Sequence, residues 1–332
     1  MANLRDKVVV VTGASSGVGR AIAEAFGAEG ARVGLIARNE EALSHAKAAI
    51  ERAGGRALVL PTDVSDAAQV EKAAAAVEAE WGRIDVWVND AMVSVFAPAM
   101  EITPEEYARV TAVDYLGFVH GTQAALRRMR TRDQGVIIQV GSALGYCSVP
   151  LQSAYCASKA AIRAFTDAVR VELKHDHSRV KISILQLPAV NTPQFDIVRS
   201  RLPRRPQPVP PIYQPEIIAR AALYAAKHAP RELWLGGPVW KAIVGRFFAP
   251  WFVDAYLART GYASQQTNEP RIRDRSDDID APVPGDRGAH GRFDARARRF
   301  DIPIALRIHP GLTAACAAAL FAGVGLALWR WA

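Results

Sequence analysis

Residues 8–19 read VVVVTGASSGVG, in which an apolar run leads directly into a glycine-rich turn. The residues that follow, GRAIAEAF, have a helical pattern, so the turn joins a strand to a helix. The glycines at 13, 17 and 19 permit a tight turn and let backbone N–H groups approach a pyrophosphate, whose charge the helix N-terminus stabilises. This setting predicts a dinucleotide-binding turn. Its expected cofactor contacts are Gly13, Ser15, Ser16, Gly17, Val18 and Gly19.

Outward from this turn, short β-branched runs alternate with alanine-rich helical stretches up to about Leu187, a pattern typical of parallel strands joined by crossover helices. Runs such as DVWVN and VIIQV are apolar on both faces, so we expect helices to cover both sides of the sheet. The sequence predicts an α/β fold, a Rossmann-like, doubly wound parallel sheet in three αβα layers. The predicted strands are Lys7–Val11, Arg32–Ala37, Ala57–Pro61, Ile84–Asn89, Val136–Val140 and Lys181–Gln186, with ELWLGG at 232–237 as a further candidate.

The end of the second predicted strand bears on the choice of cofactor. A dinucleotide fold that uses NAD places an acid there to bind the adenosine ribose, whereas this chain has Ala37 and Arg38. A guanidinium can pair with a 2′-phosphate, so the sequence favours NADP(H) over NAD(H); the alternative is that Arg38 is a surface charge. Asp63, beside Val64 after the third strand, is placed to accept from the adenine amine, or to serve as a helix N-cap.

The strongest chemical pattern is YCASK at 155–159, because Tyr155 and Lys159 at i and i+4 lie on one face of a helix. An ammonium beside a phenol stabilises the phenolate and lowers the phenol pKa from about 10 toward the working pH, which makes the tyrosine a proton donor and acceptor. Ser142 ends the VIIQV strand thirteen residues earlier and can offer its hydroxyl to a substrate oxygen.

From about Asp6 to Gly237 the chain resembles the short-chain dehydrogenases/reductases of the ordinary 250-residue type. TGASSGVG resembles their cofactor loop, SALGYCSVPLQSAYCASK their serine-to-tyrosine segment, and residues 188–192 their Pro-Gly-x-x-x-Thr turn near the nicotinamide. The resemblance implies that Ser142 binds the substrate oxygen, that Tyr155 is the acid/base, and that Lys159 binds the ribose and activates the tyrosine. It also implies a homo-oligomer. The remaining implied cofactor contacts are Val64, Asn89, Ala91, Tyr155, Pro188, Val190 and Thr192.

The chain departs from the family pattern at three places. Residues 89–92 read NDAM where the family has Asn-Asn-Ala-Gly, and Ala189 replaces the glycine of the nicotinamide turn, which suggests a backbone angle that alanine tolerates. The third departure concerns the mechanism, since Asp114 stands where the family has a fourth catalytic residue, an Asn that holds water in a proton relay. We expect the added negative charge to neutralise part of the charge of Lys159 and to raise the pKa of Tyr155.

After the last predicted core strand the composition changes. Residues 188–215 are rich in proline and arginine, which predicts a long loop over the substrate site rather than a helix or central strand. A helical pattern resumes from Glu216 to about His228. Residues 238–262 are dense in aromatic side chains, which either pack on the domain's own helices or a second subunit, or contact substrate or membrane. The catalytic domain is expected to span residues 1–262.

Two further segments follow the catalytic domain. Residues 263–310 are polar and of mixed charge, so the sequence predicts a flexible linker that buries too little surface to fold. Leu312–Trp329 is eighteen residues without a charge, close to the lower length limit for a membrane span. The sequence favours a C-terminal membrane anchor over 311–332 with the catalytic domain in the cytoplasm; the alternative is a hydrophobic helix docked on the protein.

The composition excludes several classes of protein and of binding partner. Half of the 332 residues are hydrophobic and 22% are charged, which is ordinary globular usage. The net charge of +8 is explained by exposed arginine clusters, so no nucleic-acid partner is expected. Three cysteines without CxxC spacing predict neither a disulfide framework nor a metal site. The apolar run at 8–11 is too short for a signal-peptide core.

Together these patterns predict an NADP(H)-dependent oxidoreductase that interconverts an alcohol and a ketone or aldehyde. An apolar tail and an aromatic segment favour a lipophilic substrate. The alternative from another class is a non-catalytic NADP(H)-binding protein tethered to a membrane, and a lyase or epimerase is a weaker enzymatic alternative. The identity of the substrate, the direction of the reaction, and the choice between dimer and tetramer stay open.

Overall fold

The structure is a computed structural model that describes residues 3–272, 275–301 and 305. Its strands are, in chain order, β1 (Val8–Thr12), β2 (Arg32–Ala37), β3 (Arg56–Pro61), β4 (Val86–Asn89), β5 (Val95–Phe96), β6 (Val136–Ser142), β7 (Lys181–Leu187), β8 (Arg199–Ser200), β9 (Arg204–Pro206), β10 (Ile212–Tyr213), β11 (Glu232–Trp234), β12 (Gln266–Pro270) and β13 (Ala297–Arg298). Its α-helices are α1 (Gly17–Ala28), α2 (Glu40–Arg52), α3 (Ala67–Trp81), α4 (Pro104–Thr111), α5 (Gly117–Met129), α6 (Ser153–His175), α7 (Gln194–Ile197), α8 (Pro215–His228), α9 (Gly237–Phe248) and α10 (Pro250–Ser264).

Seven parallel strands form the central sheet in the order β11-β7-β6-β4-β1-β2-β3. The chain first builds outward from β1 to β3 and then returns to pair β4 with the other edge of β1. The strand order therefore reverses at β1, and the carboxyl ends of β1 and β4 flank the crevice where doubly wound sheets bind ligands. The prediction of a Rossmann-like parallel sheet is confirmed.

Helices cover both faces of the sheet, as the doubly apolar strands predict. On one face, Ile22 and Phe26 of α1 are fully buried with Leu43 of α2 and Ile218 of α8. On the other face, α3, α4, α5 and α6 pack over β4 and β6, with Trp87 fully buried at the centre. These two apolar layers hold the carboxyl edge of the sheet in a fixed geometry, and that edge carries the site.

The proline-rich segment 188–215 lies outside the central sheet, as its composition predicts. It contains the short helix α7 and three short strands that pair only in two-stranded ribbons: β8 with β5, β9 with β12, and β10 with β13. Several of its apolar side chains are buried, among them Phe195 and Val198. The segment is thus a packed cover over the carboxyl edge of the sheet.

The described part of 263–310 differs from the predicted flexible linker. β12 pairs antiparallel with β9, β13 pairs with β10, and the side chains of Ile279 and Phe293 are buried. The composition points to a linker because it contains few apolar residues. Two of those few, Ile279 and Phe293, are buried, however, and several of its charges and backbone carbonyls bind arginines that lie earlier in the chain. Residues 275–293 are called the strap below.

The aromatic segment forms the helix pair α9 and α10. Its inner face packs through Val239 and Ile243, whereas Phe247 and Trp251 remain 79% and 74% exposed. Packing on the domain's own helices, one of the predicted roles, therefore applies to the inner face alone.

The predicted anchor at 311–332 lies outside the described residues. Across residues 3–272, 275–301 and 305, none of the helices is both long enough and apolar enough to cross a bilayer.

Candidate active site

A cavity of about 1180 Å³ opens at the carboxyl edge of the sheet, beside β1, β4, β6 and β7. Most of the residues predicted from the sequence to form the site face it. Those that line it are Gly13, Ser15, Ser16, Gly17, Val18, Arg38, Asp63, Val64, Ala91, Ser142, Tyr155, Lys159, Pro188, Val190 and Thr192. Gly19, Asn89 and Asp114 do not line it.

The glycine turn between β1 and α1 has the geometry that its sequence predicts. Gly13 and Gly17 have φ of +74° and +60°, which favours glycine. A Cβ on Gly13 would lie 2.9 Å from Cα of Ala91, and a Cβ on Gly19 would lie 2.4 Å from the carbonyl oxygen of Gly13. Gly19 therefore serves close packing within the turn, while Gly13 and Gly17 keep the cavity floor free of side chains. This floor fits the pyrophosphate of a dinucleotide at a helix N-terminus.

Asn89 lies behind the cavity wall, where the sequence predicts a cofactor contact. Its Nδ2 donates to Oε1 of Gln139 at 2.8 Å and to Oγ1 of Thr122 at 3.2 Å, and its Oδ1 accepts from Nε1 of Trp87 at 2.8 Å. All four side chains are fully buried. Asn89 thus holds β4 to β6 and α5, and the neighbouring residues of the NDAM stretch face the cavity in its place.

Three predicted catalytic side chains converge on the cavity from β6 and α6. Ser142, at the end of β6, lies beside Tyr155, and its hydroxyl acts to lower the pKa of the phenol. One helical turn further along α6, Nζ of Lys159 lies 5.5 Å from the centroid of the Tyr155 ring and donates to the carbonyl oxygen of Val140 at 2.9 Å. The i, i+4 spacing of Tyr155 and Lys159 therefore places the two side chains next to each other, as predicted.

Asp114 lies on a π-helical turn, Ala112–Leu116, between α4 and α5. Its Oδ1 accepts from the backbone N–H of Val93 at 2.8 Å, and its Oδ2 is buried without a hydrogen-bond partner in the described part of the chain. Burial raises the pKa of Asp114 to about 7, with the charge of Lys159 opposing that rise. The side chain feels the charge of Lys159 but does not line the cavity.

The pKa of Tyr155 differs in direction from the sequence prediction. Burial raises it above the ordinary range, the carboxylate of Asp114 raises it further, and the neighbouring hydroxyl of Ser142 opposes both. The expected lowering by Lys159 is missing because that ammonium is itself buried, which lowers its own pKa, and because it faces the carboxylates of Asp114 and Asp90. The predicted effect of Asp114 on the phenol therefore has the expected sign.

Asp90 is a site residue that the sequence analysis did not assign. It lines the cavity between the glycine turn and Lys159, and burial raises its pKa to about 7. Its carboxylate lies against Gly19, whose backbone N–H opposes the rise of the pKa. The sequence feature that could have identified Asp90 as a site residue is its position directly after β4, at the crevice of the sheet.

At the other end of the cavity, Asp63 is held by ion pairing. Its Oδ2 accepts from the Arg109 guanidinium at 2.7 Å and its Oδ1 from the Ser65 hydroxyl at 2.7 Å, and these contacts lower the Asp63 pKa against the effect of burial. The N-cap alternative for Asp63 is wrong, because Asp66 caps α3. Arg38 lies nearby and donates to backbone carbonyls of the strap.

Much of the remaining wall, on the side that could take a substrate, is apolar, although Gln152, Gln194, Gln207 and Lys241 also line the cavity. Pro188, Val190 and Thr192 line it after β7, and Ala189 has no positive φ, in keeping with alanine at that position. Apolar side chains complete the wall: Val149 from the stretch between β6 and α6, Phe195 from the cover segment, and Phe252 and Leu257 from α10. The cavity thus joins a glycine turn suited to phosphate, a phenol beside a serine hydroxyl, and an apolar chamber, which suits proton transfer to a substrate oxygen beside a dinucleotide.

Comparisons with known proteins agree with this geometry. Residues 7–202 match the family described as short chain dehydrogenase. An uncharacterized oxidoreductase of Bacillus subtilis (strain 168), YxnA, is 35% identical over 271 residues, which cover 80% of this chain and 76% of that protein. A fatty acyl-CoA reductase of Acinetobacter baylyi is 32% identical over 234 residues, which cover 70% of this chain and 76% of that protein. The crystal structure of a metagenomic short-chain oxidoreductase in complex with NADP superposes with a TM-score of 0.60 at 30% identity and covers 70% of this chain and 98% of that one.

Proposed function

The chain belongs to the short-chain dehydrogenase family, and we propose that it is an NADP(H)-dependent oxidoreductase that interconverts an alcohol and a lipophilic ketone or aldehyde. The observation that carries the proposal is the convergence of Ser142, Tyr155 and Lys159 on a cavity whose other end is a glycine turn. Proteins of this family are oxidoreductases, so the proposal concerns the cofactor, the substrate and the roles of individual side chains.

Each side chain has a distinct role in the proposed reaction. When bound, the nicotinamide supplies or accepts the hydride. In the direction of reduction, Tyr155 donates its phenolic proton to the carbonyl oxygen, while the hydroxyl of Ser142 holds that oxygen by a hydrogen bond. The ammonium of Lys159 stabilises the phenolate that remains. The apolar wall excludes water, which strengthens these interactions.

The preference for NADP(H) rests on Arg38. Its guanidinium follows β2 at the end of the cavity that is opposite the catalytic tyrosine, where a cation can pair with a 2′-phosphate. The similar metagenomic oxidoreductase was solved with NADP, which supports the same choice here. NAD(H) is the alternative.

The preference for a lipophilic substrate rests on the apolar side chains of the cavity wall. Phe195, Phe252 and Leu257 line the substrate side of the cavity, and the exposed aromatic side chains of α9 and α10 adjoin it. The similarity to a fatty acyl-CoA reductase supports a long-chain carbonyl compound as the first candidate.

The test is an absorbance assay of the purified chain with NADPH and a panel of long-chain and cyclic ketones and aldehydes. Replacing Tyr155 with Phe should lower kcat/KM by about 100-fold or more, because the proton donor is lost, while NADPH affinity, followed by nicotinamide fluorescence, stays within about twofold. The matched control is Tyr107→Phe, at a half-buried tyrosine whose hydroxyl hydrogen-bonds to that of Ser153 outside the cavity. Turnover that survives in the Tyr155→Phe variant would contradict the proposal, and NADPH binding without turnover in the wild type would favour the non-catalytic alternative.

A further inference from the structure

The strap crosses the end of the cavity that the proposed function assigns to the adenosine of the cofactor. The Arg38 guanidinium donates from NH1 to the carbonyl oxygens of Ile279 at 3.4 Å and Asp280 at 3.1 Å, and from NH2 to that of Asp278. These are the donors that a 2′-phosphate would use. The chain's own backbone therefore holds the group on which selection of NADP(H) depends.

A second arginine fixes the same part of the strap. Nε of Arg109 donates to the carbonyl oxygen of Ile279 at 2.9 Å, while its NH2 binds Asp63 at 2.7 Å. The Ile279 side chain is fully buried and belongs to the apolar cluster that contains Val64 and Val113, both of which line the cavity. The strap is thus seated beside the residues predicted to meet the adenine.

Further along, the strap reaches the glycine turn. Nδ2 of Asn39 donates to the carbonyl oxygens of Val283 at 2.9 Å and Gly285 at 3.2 Å. The backbone N–H of Gly17, the first residue of α1, donates to the carbonyl oxygen of Gly288 at 3.0 Å. The strap therefore spans the cavity from the adenosine end to the phosphate-binding turn.

The strap is anchored outside the cavity by charged side chains. Arg199, in the cover segment, binds both carboxylate oxygens of Asp277 at 2.8 and 3.0 Å and Asp280 at 2.7 Å. Neither aspartate lines the cavity. Inside the cavity, by contrast, Oδ1 of Asp278 is buried without a hydrogen-bond partner in the part of the chain described here, which makes the closed position costly.

We propose that the strap is a gate on the cofactor site and that Arg38 is its latch. The gate is closed while Arg38 holds the carbonyls of residues 278–280, and it opens when the 2′-phosphate of a dinucleotide takes the same donors. Hydrogen bonds from a guanidinium to phosphate are stronger than those to a neutral carbonyl, so the exchange favours the phosphate. This inference rests on the proposed use of NADP(H) and adds a regulation of that site by the chain's own C-terminal segment.

The gate is tested by hydrogen exchange of the full chain, followed in peptides that cover residues 275–291. Saturating adenosine 2′,5′-bisphosphate should increase exchange of residues 278–280 severalfold, whereas adenosine 5′-monophosphate, which lacks the 2′-phosphate, should not. Decreased or unchanged exchange with the bisphosphate bound would overturn the inference, because it would show a strap that covers the nucleotide or ignores it.

The ion pairs between Arg199 and the strap provide an independent test of the gate. The double variant Asp277→Asn, Asp280→Asn loses the ion pairs with Arg199 and leaves the cavity wall unchanged. Its affinity for adenosine 2′,5′-bisphosphate should rise about fivefold, because a larger fraction of molecules is open. The matched control is Asp176→Asn, which removes an ion pair with Arg130 that makes no contact with the strap. Unchanged affinity in the double variant would overturn the gate.

The same measurements separate this inference from the proposed function. If neither the wild type nor the double variant binds adenosine 2′,5′-bisphosphate or NADPH, the NADP(H) function fails and the gate fails with it. If the wild type binds both while exchange of residues 278–280 falls, only the gate fails.

Discussion

At the scale of the residue, the positive charge of Lys159 is shared among several acidic groups of the site. Lys159 faces two carboxyl groups, the fully buried Asp114 and the half-buried Asp90, whose pKa values desolvation raises to about 7. One ammonium cannot stabilise two carboxylates and a phenolate equally, so the protonation of the aspartates sets how much of the Lys159 charge acts on Tyr155. The family Asn at position 114 would leave that charge to the phenol.

The variant Asp114→Asn tests this coupling. The Asp114 carboxylate raises the pKa of Tyr155, so its removal should lower that pKa and shift the kcat/KM profile to lower pH by roughly one unit. The measurement is kcat/KM against pH in the oxidative direction, where activity rises as the phenol ionises. An unchanged profile would show that Asp114 is protonated, or too well compensated, over the working range.

Asn89 leads to a different prediction, because the structure places it among buried partners. Asn89→Ala leaves Oε1 of Gln139 and Nε1 of Trp87 without their partner and should lower the free energy of unfolding by about 2–3 kcal/mol. NADPH affinity at a temperature where the variant is folded should stay within about threefold of the wild type. Denaturant unfolding and fluorescence titration measure the two quantities, and a larger loss of affinity would restore Asn89 as a cofactor contact.

At the scale of the element, the turn between β1 and α1 owes its shape to glycine in two separable ways. Gly13 needs both a positive φ and room beside Ala91, whereas Gly54, with φ of +91°, has nothing within 4 Å of an added Cβ. Comparing the two positions therefore separates backbone strain from close approach.

Gly13→Ala should lower the free energy of unfolding by about 2–4 kcal/mol and weaken NADPH binding at least about tenfold, because the turn must shift away from Ala91. Gly54→Ala should lower the free energy of unfolding by about 1 kcal/mol and leave binding unchanged. Equal effects of the two substitutions on stability and binding would show that close approach at Gly13 has no role.

At the scale of the whole molecule, the C-terminal third adds to an ordinary dehydrogenase domain a helix pair and a strap. The helix pair leaves Phe247, Phe248 and Trp251 more than 70% exposed near the substrate side of the cavity, while the strap closes the cofactor side. Large exposed apolar patches are typical of surfaces that meet lipid or another protein. Homo-oligomerisation and the membrane anchor both remain predictions from the sequence.

The anchor prediction is tested by cell fractionation. The uncharged stretch Leu312–Trp329 should keep the intact chain with the membrane fraction through a high-salt wash and release it only in detergent. A chain truncated before Leu312 should appear in the supernatant, where its activity with a soluble substrate serves as the folding control. Intact chain in the salt-washed supernatant would contradict the anchor.

The sequence by itself determined the elements whose signal is local. Valine runs, the glycine turn and the spacing of Tyr155 and Lys159 predict the sheet, the turn and the catalytic pair, because strand and helix periods fix which side chains share a face. Only the tertiary structure decided the position of Asn89, the raised pKa of Tyr155 and the path of the strap. The position of Asn89 depends on its buried partner Gln139, and the pKa of the phenol depends chiefly on its burial. The path of the strap depends on Arg38, which binds carbonyls some 240 residues away. The strap contains few apolar residues, so its composition predicts a flexible linker. Composition cannot show that its backbone carbonyls bind a distant arginine, because every residue has a carbonyl.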